Sequence, residues 1–220
     1  GLIVIDMLLG GKLSLQSPLN LYALGGYRFY GVGNQYGGIL LASLPFSLCF
    51  LSSREESLLG GVFLSALLMG STFCGANLGV SLSLFALFIF LAYRKKGKRG
   101  LLLASCIFLL AAGLLGILAL LGGSHIGSFL YLLMRDSYQG FLIIRDKLLW
   151  NFSIVSQTGW QAGMLVLAGL FILTLARGIR VRKEMADLFL PILGSVIVAF
   201  FLNDTGAVLV LFSLQYLLAI

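Results

Sequence analysis

Charge is what this sequence has least of. Only 10% of its 220 residues are Asp, Glu, Lys or Arg, against 60% hydrophobic residues and a mean hydropathy of +1.05. Soluble domains carry roughly 25% charged residues, and a water-soluble fold has no means of hiding this much apolar surface. Histidine is almost missing: His125 stands alone, and the 3 cysteines (Cys49, Cys74 and Cys106) fall inside apolar runs without Cys-x-x-Cys spacing. That excludes the usual His/Cys metal sites and a disulfide framework. The cysteines read as packing residues, His125 as a bystander, and no cofactor is expected. Gly-x-Ser-x-Gly, His-Glu-x-x-His and Walker patterns are absent too, so there is no sign of a nucleotide-driven motor.

What the sequence has in excess is apolar length. Apolar runs read against their breaks predict spans at 1–13 (partial), 37–52, 58–74, 78–93, 100–122, 160–178, 188–203 and 206–220. The stretches 58–93 and 188–220 are each too long for one crossing and must turn back. The turns are visible at Gly75-Ala76-Asn77-Leu78-Gly79 and Asn203-Asp204-Thr205-Gly206. The expected fold is therefore all-α: a polytopic transmembrane helix bundle of about seven full spans plus the partial first one, forming a single domain over 1–220. The first residues read as the tail of a span rather than a signal peptide. Ile220 falls inside an apolar run, so the expectation is a piece of a longer chain.

The net charge of +7 does not indicate nucleic acid, because nine of the fifteen Lys and Arg residues sit in two short clusters between spans. Arg54, the run Arg94, Lys95, Lys96, Lys98 and Arg99, and the cluster Arg177, Arg180, Arg182 and Lys183 share one side under this threading, ten basic residues against five. By the positive-inside rule that side is cytoplasmic in an inner or plasma membrane. The other side receives loop 14–36, the two Asn-containing turns and segment 123–158. Charges at Arg135, Asp136, Arg145, Asp146 and Lys147 interrupt this last segment, which suits extracytoplasmic amphipathic helices lying in the interface, with Trp150 and Trp160 as anchors. Glycine pairs at 10–11, 25–26, 37–38, 60–61 and 122–123 suit close helix packing.

Three motifs share a pattern: Gly31-Val32-Gly33-Asn34-Gln35-Tyr36-Gly37, the GANLG turn with Asn77, and the NDTG turn with Asn203. In each, an Asn with nearby glycines precedes an apolar helix running from outside to inside. Asn is a favoured helix cap, and three outward helix N-termini offer free N–H groups and positive dipole ends to an anion. Arg28 adds a full positive charge close by. The expected pocket is thus lined by Arg28, Asn34, Asn77 and Asn203, with Asp204 and Asp6 as candidate acid/base or orienting residues, since an intramembrane carboxylate is costly unless paired or used. Ordinary capping of membrane hairpins explains each motif singly without any ligand.

At RFYGVGNQY, GANLG and LNDTG the chain resembles a group of multi-pass bacterial membrane proteins of unassigned function, some joined to an alkaline-phosphatase-like domain outside the membrane. Gln35 stands where that pattern has Glu, so no role needing a carboxylate there carries over. The resemblance implies a cell-envelope setting and not a reaction. Three function classes stay open: a domain binding an anionic, phosphorylated or lipid-linked envelope substrate, an ion-coupled secondary transporter using Asp6 and Asp204, and a non-catalytic scaffold. Whether the chain is an enzyme is undecided by its residues. The expected partners are membrane lipid, an anionic or lipid-linked substrate and other membrane proteins, with no nucleic acid.

Overall fold

Seven α-helices and no strand form among the residues that the computed structural model describes, which are 33–52, 54–71, 75, 77–122, 125–157, 163, 183–203 and 205–219. They are α1 (Asn34–Leu51), α2 (Glu55–Gly70), α3 (Leu78–Leu121), α4 (His125–Arg135), α5 (Ser137–Ser156), α6 (Lys183–Leu202) and α7 (Gly206–Ala219). The predicted spans 1–13 and 160–178, apart from residue 163, and the basic residues Arg177, Arg180 and Arg182 lie outside the described residues.

Local chemistry sets the helix starts. Glu55 and Glu56 place negative charge in the first turn of α2, opposite the positive dipole end. Asn77 caps α3, and the Asp136 side chain accepts the Gln139 N–H at 3.1 Å to start α5. Among the described residues α3 is the one helix both long and apolar enough to cross a membrane, with a mean hydropathy of 2.7 over its best 18-residue window.

That helix is not straight. Phe85 and Phe108 would stand about 34 Å apart on a continuous helix, yet their ring centroids are 5.2 Å apart. The reversal is at Gly97, whose φ of 60° and ψ of −147° belong to a region that only glycine occupies readily. Around it run Arg94, Lys95, Lys96, Lys98 and Arg99. α3 is therefore a hairpin of two antiparallel arms, residues 78–96 and 98–121, about 28 and 36 Å long.

The core forms between α1, α2, the first arm of α3, α6 and α7, where Leu41, Val62, Leu84, Ile192 and Leu209 are fully buried. Phe63 packs on Phe85, and Phe46 on Phe189, joining neighbouring helices by ring contacts of 5.9 and 6.1 Å. Glycine allows the closest approach: a Cβ at Gly38 would overlap the Leu209 carbonyl oxygen, and Ser213 Oγ donates to the Gly38 carbonyl at 3.0 Å, so α1 and α7 touch backbone to backbone. Not every expected packing glycine serves this way. Gly61 meets Leu48, but Gly60 faces open space.

The bundle has two chemically distinct ends. At one, Arg94 bonds Asp187 of α6 at 2.9 Å and Lys95 lies 3.5 Å from Glu55 of α2, bringing the hairpin turn, the α1–α2 connection and α6 together. At the other lie the starts of α1, α3 and α7 and the last turns of α2 and α6.

Two helices occupy most of segment 123–158. α4 doubles back along the second arm of α3, with Gly127 against the Ala119 carbonyl and Leu130 against Gly116. α5 then returns, with Gly140 against Leu133, and Phe152 packs on Phe200 of α6. Small residues on the facing helices permit this side-by-side packing, which periodicity alone does not foresee. Trp150 is exposed, and Arg145 pairs with its neighbour Asp146 at 2.7 Å.

Candidate functional site

The end opposite the basic turn is built from amides. Asn77, as the cap of α3, accepts the Val80 N–H on Oδ1 at 3.1 Å and donates from Nδ2 to Asn34 Oδ1 at 2.9 Å. Asn34 in turn donates from Nδ2 to Thr205 Oγ1 in a short hydrogen bond. Thr205 precedes α7, and its carbonyl accepts the Val208 N–H at 3.0 Å. One directed series of hydrogen bonds therefore joins the starts of three helices that are 43 and 171 positions apart in sequence.

A second set fastens α5 and α6 to the same end. Asn203 donates from Nδ2 to the Ala199 carbonyl at 2.9 Å, and its side chain lies against the α-carbon of Gly79, where any Cβ would overlap Oδ1. Asn151 of α5 donates to the carbonyls of Asn203 and Phe200, the latter at 3.1 Å, and accepts the Ala207 N–H at 3.3 Å. Asn34, Asn77, Asn151, Asn203 and Thr205 are all buried. Buried amides are stable only when hydrogen-bonded, and these meet that demand largely through one another and nearby backbone.

Gln35 is the exception. It is 2% exposed, in the first turn of α1 beside Asn34, and its Oε1 is the one buried side-chain polar atom among the described residues with no hydrogen-bond partner. Such an atom marks either a cost to the fold or a place for a donor from outside the protein.

The helix dipoles largely cancel here, because the N-termini of α1, α3, α4 and α7 meet the C-termini of α2, the second arm of α3, α5 and α6. Any preference for an anion has to come from individual N–H groups or from charged side chains.

Of the residues singled out from sequence, Asn34, Asn77 and Asn203 come to one end of the bundle, the first two in direct contact and the third against Gly79. Arg28, Asp6 and Asp204 lie outside the described residues. No family model, curated protein or solved structure matches this chain. The chemistry of the site must therefore be read from its own atoms. Its described members are neutral amides and a hydroxyl, able to orient a ligand through hydrogen bonds but supplying no strong base or nucleophile. No group of three or more His, Cys, Asp or Glu residues able to hold a metal occurs among the described residues.

Three participants are hard to recognise as site residues from sequence. Thr205 was inside a recognised motif, and its favour for helix caps was the available signal. Gln35 stands out in sequence only as a departure from a pattern. Asn151 carried just one hint, a poor helix former in the middle of a helix.

Proposed function

We propose that the chain is a polytopic membrane domain that binds an anionic, phosphorylated or lipid-linked component of the cell envelope at its amide-lined end. The membrane part is supported by the 60% hydrophobic composition and by two α3 arms whose lengths of about 28 and 36 Å bracket the roughly 30 Å of a bilayer core. It is supported further by the outward-facing leucines of the second arm, such as Leu102, Leu110 and Leu121. The charged turn lies at the end away from the asparagines, so the positive-inside rule makes the amide end extracytoplasmic.

The observation that carries the binding reading is the convergence of the starts of α1, α3 and α7, tied together by Asn77, Asn34 and Thr205. Arg28, six positions before Asn34, supplies the full positive charge in this reading. Asp204, next to Thr205, takes the orienting or acid/base role, with Asp6 as the second candidate.

A test uses detergent-purified full-length protein, a long-chain alkyl phosphate and the matching uncharged alcohol. The phosphate is expected to raise the melting temperature of the wild type, and Arg28→Ala to abolish that rise while leaving the unliganded melting temperature unchanged. An equal rise with the alcohol, or an undiminished rise in Arg28→Ala, refutes the reading.

A second reading, a non-catalytic scaffold, has its own observation: both polar atoms of the Asn77 side chain bond to the protein itself. Under it the phosphate has no effect, and bulky replacements on outward-facing helix surfaces disrupt complexes with other membrane proteins.

A further inference from the structure

The turn at Gly97 gathers five basic residues, but they are not equivalent. Arg94 and Lys95 are neutralised by Asp187 and Glu55. Lys96, Lys98 and Arg99, immediately flanking the reversal, are exposed and form no ion pair among the described residues. The chain reverses at a single glycine rather than through a loop, so these three cations flank the apex where two helices meet.

One helical turn from the apex the surface becomes apolar. Tyr93 is exposed on the first arm, and Leu102 is 69% exposed on the second. Three uncompensated cations bordered by an aromatic anchor and bare leucine match one partner better than any soluble polyanion: a lipid with a negative headgroup and acyl chains. A nucleic acid or a free phosphate has no use for the apolar border.

We propose that the Gly97 turn is a binding site for an anionic phospholipid, with Lys96, Lys98 and Arg99 holding the headgroup phosphate and Tyr93 and Leu102 lying along the chains. This site is at the opposite end from the amide cluster and rests on the membrane reading given above. Each cation near an anionic lipid surface contributes about a fivefold gain in affinity, and the three together roughly a hundredfold.

The test titrates the detergent-purified full chain with fluorescent phosphatidylglycerol and, separately, phosphatidylcholine. Wild type is expected to prefer phosphatidylglycerol strongly. Lys96→Gln/Lys98→Gln/Arg99→Gln is expected to lose that preference with an unchanged melting curve, and Lys147→Gln, elsewhere on the surface, to keep it. Equal binding of the two lipids by wild type, or full retention of selectivity in the triple variant, overturns the proposal. Displacement of phosphatidylglycerol by millimolar inorganic phosphate overturns it in favour of a soluble-anion site. Recovery of the chain as a soluble protein without detergent overturns the membrane reading as well, whereas failure of lipid selectivity in a detergent-requiring protein removes this site alone.

Discussion

Replacing Gln35 with methionine is the most direct probe of the amide end. The Gln35 carbonyl oxygen is enclosed and has no hydrogen-bond donor, in a side chain only 2% exposed. A buried polar group without a partner costs about 1–3 kcal/mol relative to an apolar group of the same shape. Methionine nearly preserves the volume, has similar helix propensity, and adapts to irregular gaps, so little cavity or strain offsets the gain. For a chain of this size 1 kcal/mol moves the melting temperature by about 2–4 °C. Gln35→Met is therefore expected to melt roughly 2–12 °C higher than wild type after bound lipid has been stripped. Circular dichroism melts of the two stripped proteins provide the comparison. A lower melting temperature in stripped Gln35→Met would falsify the reasoning, because it would mean that the carbonyl has a partner, such as an internal water, whose loss outweighs the relief.

Other substitutions separate packing from conformation. Asn77→Ala removes the α3 cap and a donor to Asn34, and is expected to cost about 2–4 kcal/mol in a denaturation series; a loss below 0.5 kcal/mol, taken as roughly the lower bound for a cap, contradicts the hydrogen-bond series. Gly38→Ala pushes a methyl into the Leu209 carbonyl and is expected to cut folded yield sharply, whereas Gly113→Ala, in open space on a helix, is expected to be neutral or to stabilise by about 0.5–1 kcal/mol. Equal tolerance at the two positions would show that α1 and α7 are not in backbone contact. Gly97→Ala forces a Cβ into a backbone region that costs about 1–3 kcal/mol; spin labels at positions 85 and 108 are expected to show a broadened distance distribution, and an unaltered narrow one argues against the hairpin.

Much of this architecture is written locally. The turns at 75–79 and 203–206 are legible because Asn and Gly interrupt apolar runs too long for one helix, and the turn at 97 because a block of like charge cannot continue an apolar span. Asn34, Asn77 and Asn203 are conspicuous for the same reason: each opens or closes such a run. Their partners are not legible. The Asn34 and Asn77 amides meet across 43 positions, and nothing in the periodicity of either helix says which of its faces turns toward the other. Asn151 illustrates the limit best, since within IIRDKLLWNFSIV it looks like one more polar residue on a surface helix. Only the return of α5 toward α6 buries it. Likewise the burial of Gln35 depends on surrounding helices, so the sequence shows the residue and not its missing donor.

The two ends of the bundle answer to different solvents. Between exposed charges such as Arg94 and Asp187, dissolved ions intervene, and their attraction fades within a Debye length of about 8 Å at physiological ionic strength. The bonds that link Asn77 to Asn34 and Asn34 to Thr205, and those between Asn151 and the backbone around Asn203, join neutral groups that neither titrate nor attract a counterion cloud. Raising salt should therefore quicken hydrogen exchange in the turns around Glu55 and Gly97 and leave the first turns of α1, α3 and α7 as protected as before. In effect, the ion pairs at one end answer to the ionic composition around them, and the amide hydrogen bonds at the other do not.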